Sequence, residues 1–335
     1  MKKLNNKGFA IASILYSIMV LFLLLLLSIL GILGSRKAIL DKNKKDILDS
    51  LNNEVLQGNL KDKVLAHGYS VEFPDFSDVE VQDAGLFETV DSDGKSYYYR
   101  GDINYNYISF AGYLWRIIRI NGDGSVRIIM NGDIGVSTFN NVADSVKYSG
   151  YTYDKETNET DSTIKSYLEN WYNNNLNGYD NYIVISRYCN DSSVYKGDIN
   201  SNPQTAVLYG ASNRLQNLNQ PSLICEAENN SFGGEYLLKI GLISLDELVM
   251  AGGYYMSDNV DYYLYYNANW WTMTPHSYSV TYSCTGVGRT YKNESYRNGC
   301  VNNSDHVVRP VINLKGDIIV SGTGTKNNPY VIVNL

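Results

Sequence analysis

Charge is absent from one long stretch of this chain: Gly8 to Ser35 runs for 28 residues without an Asp, Glu, Lys or Arg. That length excludes an ordinary secretory signal, whose apolar core spans about 7–15 residues, and no A-x-A-like cleavage pair follows it. As a helix rising about 1.5 Å per residue it measures about 42 Å, enough to cross a hydrocarbon core of about 30 Å. Basic residues lie on both sides: Lys2, Lys3 and Lys7 before, and Arg36, Lys37, Lys42, Lys44 and Lys45 after. Lysine and arginine bias therefore leaves the membrane orientation undecided.

Proline is scarce, at six residues, and histidine scarcer, at three. With Gly, Asn and Asp marking turns instead, the chain does not read as Pro-rich and disordered. The formal net charge is -7, and no basic stripe occurs apart from the juxtamembrane lysines. Nucleic acid is thereby excluded as the main partner. No C-x-x-C pair is present, which removes zinc-ribbon and thioredoxin-like readings, and no G-x-S-x-G elbow marks a serine hydrolase. Asp91, Asp93, Asp102 and Asp123 invite a calcium reading, but none completes an EF-hand loop. Turn formation accounts for them, and no cofactor or metal is expected.

Four cysteines lie beyond the apolar span: Cys189, Cys225, Cys284 and Cys300. An even number of widely spaced cysteines fits disulfides in an oxidising compartment, although free thiols packed in a cytosolic core are the alternative. Four cysteines allow three connectivities. Nearness along the chain selects Cys189–Cys225 and Cys284–Cys300. With the N-terminal anchor, this places residues 36–335 outside the cell, in a single-pass membrane protein. Thirty tyrosines and abundant asparagine follow AT-rich codon usage, and the same residues also suit adaptable binding surfaces.

Along the chain, residues 1–8 form a basic leader and 9–35 the transmembrane helix. Ile39, Leu40, Ile47, Leu48, Leu51, Val55 and Leu56 then recur at helical spacing to about Gly58, within an amphipathic stalk drawn over 36–67. Residues 68–85 read as a linker and 86–335 as the surface domain. In that domain the period changes to two. Hairpins are predicted around Asp91–Gly94 and around Asn121-Gly122-Asp123-Gly124. Asp161-Ser162 can cap a helix carrying Ile164, Leu168, Trp171 and Leu176 and ending near Gly178. Ser244 and Glu247 form a capping box for a second helix ending at Gly252-Gly253. Strands follow at Trp270–Thr274, Val307–Leu314, Ile318–Val320 and Tyr330–Val333. Strands and helices grouped rather than alternating imply an α+β fold with a largely antiparallel sheet.

Two resemblances add to this reading. The opening "MKKLNNKGFAIASILYS" resembles a type IV prepilin signal, in which a basic leader ends in Gly and the next residue, usually Phe, becomes the methylated N-terminus. Gly8 and Phe9 occupy those places, implying a prepilin peptidase and other pilin-like subunits as partners. The family's Glu at the fifth mature position is Ser13 here. The segments "YISFAGYLWRIIRINGDGSVRII", "STIKSYLENWYNNNL", "GLISLDELVMAGG", "WWTMTP" and "VVRPVINL" resemble an uncharacterised bacterial surface-domain family of the DUF6273 type. That family is related to C-type-lectin-like and formylglycine-generating-enzyme-like folds. The resemblance implies a lectin-like adhesion domain for an extracellular glycan or protein. An extracellular enzyme of the formylglycine-generating type, or a purely structural pseudopilin-like subunit, are the alternatives.

For an enzyme, Cys284 and Cys300 flanked by His276 and His306 are the candidate group, but sixteen residues between the cysteines read more simply as a loop closed by a disulfide. No catalytic residue is assigned. The ligand-facing surface is expected on a long insertion from His276 to His306, through Tyr278, Tyr282, Arg289, Tyr291 and Arg297. One of Trp270 and Trp271 is expected in the core, with Trp271 taken as the binding member.

Overall fold

The computed structural model describes residues 6–55, 57–77, 83–153, 160–225, 234–291, 294–333 and 335. The chain divides into two units, up to Leu56 and from Gln57 onward. The first is a single helix, α1 (Asn6–Val55), long and apolar enough to cross a membrane, with a window of mean hydropathy 2.8 within Ser13–Ile47. Every backbone group inside a bilayer needs an internal partner, which a continuous helix supplies. Three of its serine hydroxyls are likewise satisfied within the helix. Ser17, Ser28 and Ser35 donate to the carbonyls of Ser13, Leu25 and Gly31, at 2.9, 2.8 and 2.9 Å.

The second unit is sheet-rich and α+β, with mostly antiparallel pairing. Its ten-stranded sheet runs in the order Gly58–Asn59, Ile319–Ser321, Tyr330–Ile332, Tyr107–Phe110, Tyr113–Ile120, Val126–Met130, Val311–Leu314 and Ile240–Gly241. The hairpin Gly85–Asp91/Gly94–Arg100 joins it through Tyr113–Ile120. Within this sheet only Tyr330–Ile332 beside Tyr107–Phe110 is a parallel pair among the described residues. A five-stranded antiparallel sheet contains Glu294–Cys300, Cys284–Tyr291, Trp270–Ser279, Val207–Tyr209 and Val194–Lys196, and a third pairs Ser186–Asn190 with Gly234–Leu238. Among the described residues the unit also has four α-helices, α2 (Leu60–Leu65), α3 (Thr163–Asn175), α4 (Gly210–Gln216) and α5 (Leu245–Met250), and two short 3-10 helices, Val146–Ser149 and Asn177–Tyr179.

Local chemistry explains most of these elements. Gly94 and Gly124 take positive φ, at 125° and 84°, where a side chain would strain the two hairpin turns. The Ser162 side chain accepts from the Lys165 amide at the start of α3, and Ile164, Leu168 and Tyr172 give it one buried stripe. α5 carries the full capping box, and all six of its residues are buried. A helix apolar only in part yet buried all round must pair its charged residues internally.

Three boundaries differ from the sequence reading. Residues 57–67 belong to the domain and not to the stalk: Gly58 and Asn59 pair with Val320 and Ile319, while Leu60 and Val64 are fully buried. Burying those apolar side chains against the sheet outweighs helix continuation. In the 68–85 linker, Ser70 already bridges to Phe87 of the first hairpin, and residues 78–82 lie outside the described set. The expected insertion from His276 to His306 is a three-stranded meander, with Cys284–Tyr291 central between Trp270–Ser279 and Glu294–Cys300. Its Tyr, Thr and Val residues suit a pleated, half-buried surface, so tertiary pairing prevails over its loop-like Asn and Gly content.

Candidate functional site

The meander disperses the residues expected to form one binding face. Trp271 is completely buried, and so is Trp270. The strand has both faces covered: the Arg309 guanidinium lies 4.6 Å from the Trp270 ring, while Trp271 packs on Phe139 and His306. Trp271 is therefore a core residue, which corrects its assignment to ligand binding. Tyr278 and Arg289 are also buried, at 7% and 9% exposure. The Tyr278 hydroxyl donates to the Asp144 carbonyl at 3.2 Å, and Arg289 Nε donates to the Asn298 carbonyl at 3.3 Å. Gly299 makes room for Arg289, because a Cβ there would collide with the guanidinium. Tyr282, at 80% exposure, and the half-buried Arg297 remain at the surface. The side chain of Tyr291 lies outside the described residues.

Cys284 is joined to Cys300, and Cys189 to Cys225, so none of the four presents a thiol. His276 and His306 flank the first pair in sequence but are both buried. Three Ser-x-x-Lys sequences, Ser92–Lys95, Ser162–Lys165 and Ser193–Lys196, have structural placements: Lys95 bridges Glu88 within the first hairpin, Ser162 caps α3, Lys165 bridges Asp161 and Glu169, and Lys196 is exposed on an edge strand.

The groups that do converge are ones with no adjacency in sequence. A cavity of about 40 Å³ is walled by α5, the turn of the first hairpin, strand Ser186–Asn190 and residues 222–225. The Cys189–Cys225 disulfide ties the last two walls together, and Leu223 bridges to Asp91. Gly122 must be glycine here. Its amide donates to Asp91 Oδ2 at 2.9 Å, and a Cβ would strike Asp91 Oδ1 and the Gly94 amide.

Arg119 donates from Nη1 to Asp91 Oδ2 at 2.6 Å and from Nε to Glu247 Oε1 at 2.9 Å. Arg127 Nε lies 2.8 Å from the same Glu247 oxygen, with its guanidinium 4.0 Å from the Tyr188 ring. Arg214 grips Asp246 through Nε and Nη2 at 3.0 and 2.9 Å, and reaches Asp191 at 3.4 Å. At the exposed mouth, Arg187 pairs with Asp93 and Glu235.

Burial alone would raise the Glu247 carboxyl, but Arg127 and Arg119 offset it and hold Glu247 below its ordinary value. For Asp246 burial prevails over Arg214, and Asp191 adds repulsion, so its carboxyl is raised. Four arginines face six carboxylates, an excess of two negative charges. A water needs about 10–15 Å³ of such volume, so the cavity holds a few waters or a group of comparable size. It is far smaller than the roughly 300–1,000 Å³ of a drug-sized ligand site. Among the described residues, no group of three or more His, Cys, Asp and Glu side chains is placed to hold a metal ion.

No protein-family model, curated protein or solved structure matches this chain. The signal that could have found the cavity is the placement of Arg119, Arg127, Asp246 and Glu247 inside runs otherwise apolar enough to be buried, "WRIIRI", "VRIIM" and "LDELVM".

Proposed function

We propose that the protein is a single-pass, pilin-like surface protein of a bacterial cell that displays a lectin-like binding domain outside the membrane. The observation that carries this is the joining of all four cysteines in a domain that follows one membrane-length apolar helix. Disulfides persist in oxidising compartments and are rare where glutathione keeps thiols reduced. The prepilin-like Lys7-Gly8-Phe9 supplies the route. A prepilin peptidase cleaves after Gly8, Phe9 becomes the methylated N-terminus, and α1 either stays in the bilayer or enters a fibre with other pilin-like subunits. The ligand is an extracellular glycan or protein, met by the exposed Tyr282 and the half-buried Arg297 on the meander. The Cys/His enzyme reading is weaker, because Cys284 and Cys300 are spent on each other.

Mass spectrometry of the mature protein tests the route. A methylated Phe9 at the N-terminus is expected, and retention of Met1 or Lys2 would remove the pilin part of the proposal. Alkylation of intact cells without reductant tests the compartment, with no cysteine expected to react. Four alkylated thiols would place the domain in a reducing compartment.

A further inference from the structure

Charge is unevenly shared inside the polar cavity. Arg119 and Arg127 face Asp91 and Glu247, two positive groups against two negative. Arg119 donates through Nε and Nη1, whereas Arg127 donates through Nη1 to the Arg187 carbonyl at 2.9 Å and its Nε, 2.8 Å from Glu247, meets it as an ion pair without hydrogen-bond alignment. The Nη2 group of each has no partner among the described residues. Thr274 Oγ1 accepts from the Leu245 amide at 2.9 Å and keeps its own hydrogen to donate. The same cavity holds a second set with the opposite imbalance: Arg214 is the one cation at two buried carboxylates, Asp246 at close range and Asp191 at 3.4 Å, which also accept from the Ser222 and Ser193 amides at 2.8 and 2.9 Å.

We infer that this cavity binds a small zwitterion of amino-acid type, its carboxylate on Arg119 and Arg127 and its ammonium on Asp191 and Asp246. Electrostatics selects this class over simpler ones. A plain anion finds donors but adds to an existing excess of negative charge. A plain cation finds the excess but leaves the two Nη2 donors to water, without a charged acceptor. A zwitterion satisfies both and brings no net charge. The volume admits a group about the size of glycine, or the amino-acid end of a longer molecule whose remainder leaves past Arg187. The disulfide-tied wall and the paired hairpin turn hold the groups in place before binding, which lowers the ordering cost. This inference goes beyond the surface-display reading and does not depend on it, because every residue it invokes lies within the domain.

The test uses the full-length protein in detergent, with glycine, acetate and methylammonium as probes in thermal denaturation and titration calorimetry. Glycine is expected to bind saturably and raise the midpoint, whereas acetate and methylammonium at equal concentration do not. In Asp191→Asn, glycine is expected to weaken about tenfold, the size of one charge-assisted hydrogen bond, while acetate gains. Failure of glycine to bind the unsubstituted protein at millimolar concentration would overturn the inference, and so would acetate binding equally well. Should Asp191→Asn fail to fold, the three-probe comparison decides alone. Because it is made on purified protein, its failure is distinct from failure of the N-terminal processing or thiol experiments.

Discussion

Trp271 and His306 stack with ring centroids 4.3 Å apart and planes 18° from parallel. Trp271 Nε1 is anchored on the Ser137 carbonyl at 2.8 Å, so the indole forms a fixed wall for the imidazole. Burial, assisted by Arg289, pushes the His306 pKa down to about 4, against the pull of Asp305. Burial does the same to His276, again to about 4. An unfolded histidine titrates near 6.5. Above that pH neither state binds the proton, and the two histidines leave stability unchanged. As pH falls from about 6.5 to about 4, the unfolded chain gains protons that the folded one refuses. Each histidine then removes up to about 3 kcal/mol. Urea midpoints should therefore drop between pH 6.5 and 5, before most carboxylates titrate, and the His276→Gln/His306→Phe double variant should flatten that slope. An unchanged slope would mean that the two rings are already charged, or accessible to protons, in the folded state.

Glu247 is the carboxylate shared by two buried guanidiniums, and its Oε2 also accepts from the Ser244 amide at 2.9 Å. Glu247→Gln leaves Arg119 with one carboxylate and Arg127 with none. Breaking a buried pair from one side costs about 3–5 kcal/mol, because the remaining charge is desolvated and uncompensated. The surface pair Lys95–Glu88 is the control, with the lysine 58% exposed. Glu88→Gln should change stability by less than about 1 kcal/mol. Chemical denaturation of the two variants side by side measures the contrast.

The two disulfides close loops of different length, with sequence separations of 16 and 36. In the chain-entropy model, losing Cys284–Cys300 costs about 3 kcal/mol and losing Cys189–Cys225 about 4 kcal/mol. Paired Cys→Ser variants should rank in that order in thermal midpoint. The Cys189/Cys225 variant should in addition lose any glycine binding, since its bridge joins two walls of the cavity.

Legibility of this chain in its sequence follows distance along it. Caps and turns are written within four residues, as in Ser162 with Lys165 and Asn121 to Gly124, and these elements lie where the pattern predicts them. Disulfide pairing by nearness also holds. The meander was less legible, because Asn, Gly and Tyr fit a loop as well as a strand until partner strands supply hydrogen bonds. The cavity was least legible: Arg119 meets Asp91 across 28 residues and Glu247 across 128. Only the charges set inside apolar runs hint at it, and they do not say which partners meet. Burial of Trp271 had the same origin, since alternation along a strand places a side chain on a face but not what covers that face.

The exposed end of the meander carries the last expectation. Val280 to Ser283 turn between Trp270–Ser279 and Cys284–Tyr291, with Ser283 at φ 43° and Tyr282 at 80% exposure. A tyrosine held clear of the surface on a turn that leads into the Cys284–Cys300 disulfide offers large contact area at low entropic cost. Arg297 stands half-buried on the neighbouring strand, opposite Arg289 in register. If the domain is an adhesin, Tyr282→Ala and Arg297→Ala should lower attachment of cells to host or matrix material while leaving the unfolding midpoint within about 0.5 kcal/mol, as for other surface substitutions. Arg289→Ala should behave differently. Its guanidinium is buried over Gly299, so removing it empties packed space and should lower stability by about 1–3 kcal/mol. Attachment assays on cells, read together with denaturation of the purified variants, separate the two effects. Undiminished attachment in the Tyr282/Arg297 double variant would move any adhesive surface away from the meander.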